Sequence, residues 1–166
     1  MTSDLITTDA ALADLCRALE GSAWIALDTE FLRERTYYAR LCLIQVGAPG
    51  IVACIDPLAL EQLDPLHALL ENPGQRKVLH AARQDLEVFV DLRRAGTRQC
   101  RERRDAGSDR RVVATPLFDT QIAAAYLGYD DQIGYGALVT AITGVTLDKT
   151  HTRTDWSKRP LSAAQH

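Results

Sequence analysis

Asp28 and Glu30, one residue apart in the stretch IALDTEF (25–31), are the first residues of this chain whose spacing carries chemistry. Side chains two apart on a strand share a face and stand about 6.5–7 Å from each other along it. At about 6 Å and an effective dielectric near 20, two carboxylates repel by roughly 3 kcal/mol. The preceding residues, Trp24 to Leu27, are those of a buried central strand, so desolvation adds to the cost. A divalent cation removes the problem, because Mg²⁺ and Mn²⁺ take hard carboxylate oxygens and keep positions open for phosphate and water. A third acid, Asp85, follows the strand-like run 77–80 in LHAARQDLEVF and falls in the first turns of a helix. Residues just past the carboxyl ends of strands lie where an α/β sheet binds its ligands. A parallel pairing of the Asp28 strand with the 77–80 strand would bring the three acids together. Each alone has a plain reading: acids at strand ends are common, and an acid at a helix start answers the helix dipole.

The elements that must position these acids follow from periodicity and turn chemistry. Thr8 caps a predicted helix over about 9–20, with Leu12, Leu15, Cys16 and Leu19 on one face. Strands are expected at 23–28, 41–46 and 51–55; the last two are separated by Gly47-Ala48-Pro49-Gly50, and the three form an antiparallel meander. A helix over 63–70 ends at Asn72-Pro73-Gly74, a strand occupies 77–80, and a helix runs over 82–92. Beyond an extended stretch at 115–118, Asp119 caps a helix reaching Gly128, and 135–142 is another. Residues 146–159 read as loop, and Ser162 with Gln165 has the spacing of a capping box. The order implies one α/β domain: a mixed sheet of three antiparallel strands followed by parallel ones, flanked by helices.

Composition sets bounds. The 166 residues are 46% hydrophobic and 25% charged, ordinary for a single globular domain. No apolar run approaches the roughly 20 residues that span a bilayer, and the acidic N-terminus does not read as a secretory signal. Cys16, Cys42, Cys54 and Cys100 are scattered without a CxxC pair, which points to free thiols and a cytoplasmic location. The net charge of −3 excludes a polybasic binder overall. Between Arg93 and Arg111, however, eight arginines face three acids, giving +5 there and −8 elsewhere. The 93–113 stretch is expected to be a flexible Arg-rich insertion, with a salt-dependent RNA tether as the second reading.

Taken together, DTEF (28–31), RTYYARLCLIQVG (35–47), IDPL (55–58), HAARQDLEVF (80–89), FDTQIAAAYLGY (118–129), GVTLDKT (144–150) and RTDWSKRPLS (153–162) resemble the ribonuclease D branch of the DEDD 3′–5′ exonucleases. The resemblance implies a ribonuclease H-like fold and two-metal hydrolysis of phosphodiester bonds at RNA 3′ ends, those of tRNA-type precursors included. It implies that Asp28 bridges two Mg²⁺ or Mn²⁺ ions, that Glu30 holds one and positions water, and that Asp85 supports the second. Thr29, Phe31, Arg33, His80, Lys149 and Arg153 are the candidate nucleic-acid contacts. Phe31 reads equally well as core, His80 as a strand-end polar group, and the cations as a solvated face.

The family's third motif, Tyr-x₃-Asp on a helix after RPLS, is not found before His166. Tyr126 and Asp130 have that spacing, but Gly128 interrupts them and they precede the GVTLDKT block. The domain is therefore expected to be incomplete at its C-terminus, with a weakened second metal site and weak activity. A catalytically silent nucleic-acid-binding remnant is the alternative, and self-association through an uncovered sheet face is a further expectation.

Overall fold

The computed structural model describes residues 5–33, 38–95, 114–148, 154–162 and 165, with side chains of 91–95 excepted. Six strands form one sheet: β1 (Leu5–Ile6), β2 (Trp24–Leu32), β3 (Arg40–Ala48), β4 (Ile51–Ile55), β5 (Arg76–Leu79) and β6 (Leu117–Asp119). The helices are α1 (Asp9–Leu19), α2 (Asp64–Glu71), α3 (Arg83–Ala95), α4 (Thr120–Tyr126) and α5 (Tyr135–Thr143). The strand order is β1-β4-β3-β2-β5-β6. Strands β2, β3 and β4 form the expected antiparallel meander, and β5 and β6 add parallel to it beyond β2. The mixed sheet with flanking helices is the architecture predicted.

Each helix has a local cause. The Thr8 hydroxyl accepts from the Ala11 N–H and opens α1. Pro65 stands in the first turn of α2, where its missing N–H costs nothing. Gly144, with φ at 74°, closes α5 in the left-handed conformation. Leu12, Cys16 and Leu19 of α1 and Leu66, Leu69 and Leu70 of α2 join Ile25, Leu27, Ile44 and Val46 of the sheet in one core, with Val88 and Phe89 of α3.

Two features were not expected. The pair Leu5–Ile6 adds to β4 as a parallel edge strand, too short to leave a periodic signal. Between Glu30 and Phe31 the β2–β3 register slips: Glu30 opposes Leu43 and Phe31 opposes Leu41, so Cys42 is a bulge residue. Ser162 and Gln165 make half a capping box, the Ser162 N–H donating to Gln165 Oε1 at 2.9 Å. Residues 96–113, most of the expected Arg-rich insertion, lie outside the described residues, as do Lys149 and Arg153.

Candidate active site

The register places the acids. Ala26 of β2 lies opposite Val78 of β5, and β5 ends one residue later at Leu79 while β2 runs on to Leu32. Beyond the end of β5 the flank of β2 is open, and the turn into α3 fills it. Asp85, in the first turn of α3, is thereby carried to the level of the DTE segment. The parallel pairing that the two strands needed is present.

Along β2, Ile25, Leu27 and Thr29 are buried, while Asp28 and Glu30 alternate to the other side. The Thr29 hydroxyl donates a hydrogen bond to Asp85 Oδ1. Thr29, a candidate nucleic-acid contact, is 7% exposed, and its hydroxyl holds the third acid. Burial explains the bond, since a threonine facing the core needs a polar partner and Asp85 is the one in reach.

All three carboxyls are pushed up. For Asp28, desolvation by the surrounding protein is the largest cause even though one flank is exposed; the Asp85 charge follows, and the Thr29 N–H and His80 act in the opposite direction. Glu30 is pushed up to about 7, by desolvation first and then by Asp28 and Asp85. Asp85 is pushed up by burial, against hydrogen bonds from Thr29 and from its own N–H. The acids therefore feel one another across the notch. Hard oxygen donors crowded by like charge suit a divalent cation. Among the described residues, no three such side chains close into a ready-made metal cage. The fit is one of donor chemistry and charge.

His80 lies at the exit of β5. Its Nε2 donates to the Ile133 carbonyl at 3.0 Å, and Nδ1 lies 3.0 Å from Thr120 Oγ1. Tyr135 meets the ring edge-on at 5.6 Å. Both ring nitrogens are thus engaged within the protein, and the ring ties β5 to α4 and to the loop before α5. Phe31 is half-buried against the core. Arg33 is exposed and pairs with Glu87 of α3 at 2.9 Å.

Sequence reasoning missed a second constellation. Arg159 donates from Nε to Asp56 Oδ2 at 2.6 Å and from Nη2 to Asp56 Oδ1 and the Cys42 carbonyl, both at 2.7 Å. The pair docks segment 154–162 on β3 and β4 at the bulge beside Glu30. Both residues lie in stretches singled out above, IDPL and RPLS, but nothing local signals that a loop arginine and a strand-end aspartate are partners.

Comparison with known proteins agrees with this geometry. Residues 4–166 match the family model described as 3′–5′ exonuclease. The chain is 45% identical to ribonuclease D of Granulibacter bethesdensis over 162 residues, covering 97% of this chain and 37% of that protein. It is 44% identical to ribonuclease D of Escherichia coli over 165 residues, covering 99% and 40%. The crystal structure of the Escherichia coli protein, described as an exoribonuclease involved in structured RNA processing, superposes with a TM-score of 0.85, covering 99% of this chain and 40% of that one. The catalytic core of RRP6 from Trypanosoma brucei, 24% identical, shares the fold at a TM-score of 0.78, covering 99% of this chain and 41% of that one. The chain thus spans about two-fifths of the length of the ribonucleases D it matches. With a fold that matches over 99% of the chain and a family match that takes in Asp28, Glu30 and Asp85, the chain belongs to the 3′–5′ exonuclease family, on its ribonuclease D branch.

Proposed function

We propose that this chain is the nuclease domain of a 3′–5′ exoribonuclease that hydrolyses phosphodiester bonds by a two-metal mechanism with Mg²⁺ or Mn²⁺. Its substrates would be the 3′ ends of structured RNAs, tRNA-type precursors among them. The observation that supports this reading is that the charges of Asp28 and Asp85 act on Glu30, while Asp85 is tied to Thr29, the residue between Asp28 and Glu30, in a chain of this family. Asp28, Glu30 and Asp85 would hold the ions. Bound there, the ions would supply Lewis-acid stabilisation of the attacking and leaving oxygens and an activated water.

The protein's own part is to fix the carboxylates. Strand β2 fixes Asp28 and Glu30 on one side, and the Thr29 hydroxyl anchors Asp85 beside them. Phe31, near the end of β2, and Arg33, just past it, would meet a terminal base and a backbone phosphate. We assign His80 a share in holding the floor of the site, through Thr120 and Ile133. The buried free thiols Cys16 and Cys42 support a cytoplasmic location. Among the described residues, no helix is long and apolar enough to cross a membrane. Self-association through an uncovered sheet face remains part of the proposal, and the exposed apolar side chains Ile122, Tyr126, Leu127 and Ile142 offer further contacts; sedimentation against concentration tests it.

The test of function is degradation of a 5′-labelled structured RNA with Mg²⁺ or Mn²⁺. A ladder shortening from the 3′ end one nucleotide at a time, lost in Asp28→Ala, is expected. Internal cleavage, or trimming that persists in Asp28→Ala, overturns the reading.

A further inference from the structure

We propose that Asp119 is a positioning residue for the metal site, setting the turn that delivers Asp85. This rests on the proposed function in one respect, namely that Asp85 holds a divalent ion. Asp119 opens α4 by accepting from the Gln121 N–H at 2.8 Å, as the sequence predicts. The same carboxylate also reaches across the sheet. Oδ1 accepts from the Ala81 N–H at 3.0 Å, and Oδ2 accepts from the Ala82 N–H at 2.9 Å. One side chain therefore holds the starts of two helices. The register permits it: Asp119 stands opposite Leu79, the last residue of β5, so its carboxylate lies beside the turn 80–82.

That turn needs an outside partner. Ala82 precedes α3, and its carbonyl accepts the first helical bond, from the Leu86 N–H at 3.0 Å. An alanine at that position has no side-chain acceptor for the donors left unpaired at a helix start. Ala81 has φ at 54°, left-handed, which a residue with a Cβ adopts rarely. Asp119 supplies the missing acceptor and holds Ala81 in that conformation. Ala82 is buried, so the turn cannot relax outward without exposing it. Three residues later along α3 comes Asp85. A turn that flattened at Ala81 would rotate the start of α3 and draw Asp85 from Thr29 and from the Glu30 side of the notch.

Asp119→Ser separates the two duties. A serine still caps α4 through Gln121, but one short hydroxyl cannot serve Ala81 and Ala82 as well. In that variant we expect amide hydrogen exchange of Ala82 and Leu86 to quicken at least about tenfold while β2 and β3 stay protected. We expect the dissociation constant for Mn²⁺, measured by calorimetry on the chain, to rise about tenfold, as for loss of an outer-shell partner. Ala81→Gly, which makes a left-handed φ free of side-chain strain, should leave the parent unchanged and restore much of the Mn²⁺ affinity in the Asp119→Ser background. Unchanged exchange at Ala82 and Leu86 overturns the proposal, as does Mn²⁺ affinity that falls without faster exchange or without rescue by Ala81→Gly. If the parent chain takes up no Mn²⁺, the metal reading fails by itself. Exchange at Ala82 and Leu86, with and without Ala81→Gly, then decides whether Asp119 sets the turn.

Discussion

Glu30→Gln should remove most of a slope in the stability of the metal-free protein against pH. The Glu30 carboxyl is pushed from 4.5 up to about 7, first by desolvation and then by the charges of Asp28 and Asp85. In the unfolded chain the group titrates at its ordinary value. Between these two values the folded protein retains a proton that the unfolded chain has released. The unfolded state then binds fewer protons, so stability is fully present below about 4.5 and falls as pH rises through about 7. At about 1.4 kcal/mol per pH unit, the interval corresponds to about 3 kcal/mol. Solvent at the open flank of Glu30 screens part of this, leaving about 2 kcal/mol. For a domain of this size that is about 4–8 °C in Tm. Asp28 and Asp85 are raised too and act in the same direction. Asp56 and Asp119 are lowered, so their stabilisation is lost only at more acid pH, outside the window. Thermal unfolding followed by circular dichroism in EDTA, from pH 5 to pH 8, makes the measurement. The parent should melt lower at pH 8 than at pH 5, and Glu30→Gln should lose most of the difference and exceed the parent at pH 8. A parent equally stable at both ends would refute the reasoning.

Four further substitutions, at three residues, probe the frame. Arg159→Ala leaves Asp56, 3% exposed, with a buried unpaired charge and should cost about 3 kcal/mol in urea unfolding; Arg159→Lys should recover little, because an ammonium cannot serve both carboxylate oxygens and the Cys42 carbonyl. Lys77 is fully buried, with Nζ donating to the carbonyls of Asn72, Gln75 and Thr115 at 2.5, 2.7 and 2.9 Å. Lys77→Met should therefore cost about 3 kcal/mol by the same assay, although it removes a buried charge, because three acceptors lose their donor. Thr29→Val keeps the branched shape but strips Asp85 of its hydroxyl donor. It should cost about 1–3 kcal/mol and move the Asp85 carboxyl further up in a carboxyl-resolved NMR titration.

The three acids were legible because their signal is local: alternation fixes the face of Asp28 and Glu30, and a strand followed by a helix fixes where Asp85 begins. The β2–β3–β4 meander was legible for the same reason, through Gly47–Gly50 and the apolar runs around it. What stayed hidden depends on contacts between distant residues. The bulge at Cys42 has no composition signature, yet it resets which side chains of β3 face the core and frees a carbonyl for Arg159. The sequence places Lys77 on a strand, and only the fold surrounds its ammonium with three carbonyls. The motif makes Thr29 a candidate contact, and only the fold shows that its hydroxyl holds Asp85. Asp119 shows the limit most plainly. Its cap on α4 follows from sequence, but its hold on the Ala81–Ala82 turn follows only from the pairing of β5 with β6.

If Asp28, Glu30 and Asp85 form the proposed oxygen site, a divalent cation relieves their mutual repulsion. Calorimetric titration with Mn²⁺ near pH 6.5, in two buffers of different ionisation enthalpy, tests it most directly. Carboxyls that are pushed up must give up protons on binding. Mn²⁺ uptake is expected, with a heat that changes with the buffer, and is lost in Asp28→Asn. Absence of uptake, uptake without proton release, or undiminished uptake by Asp28→Asn would contradict the proposed site.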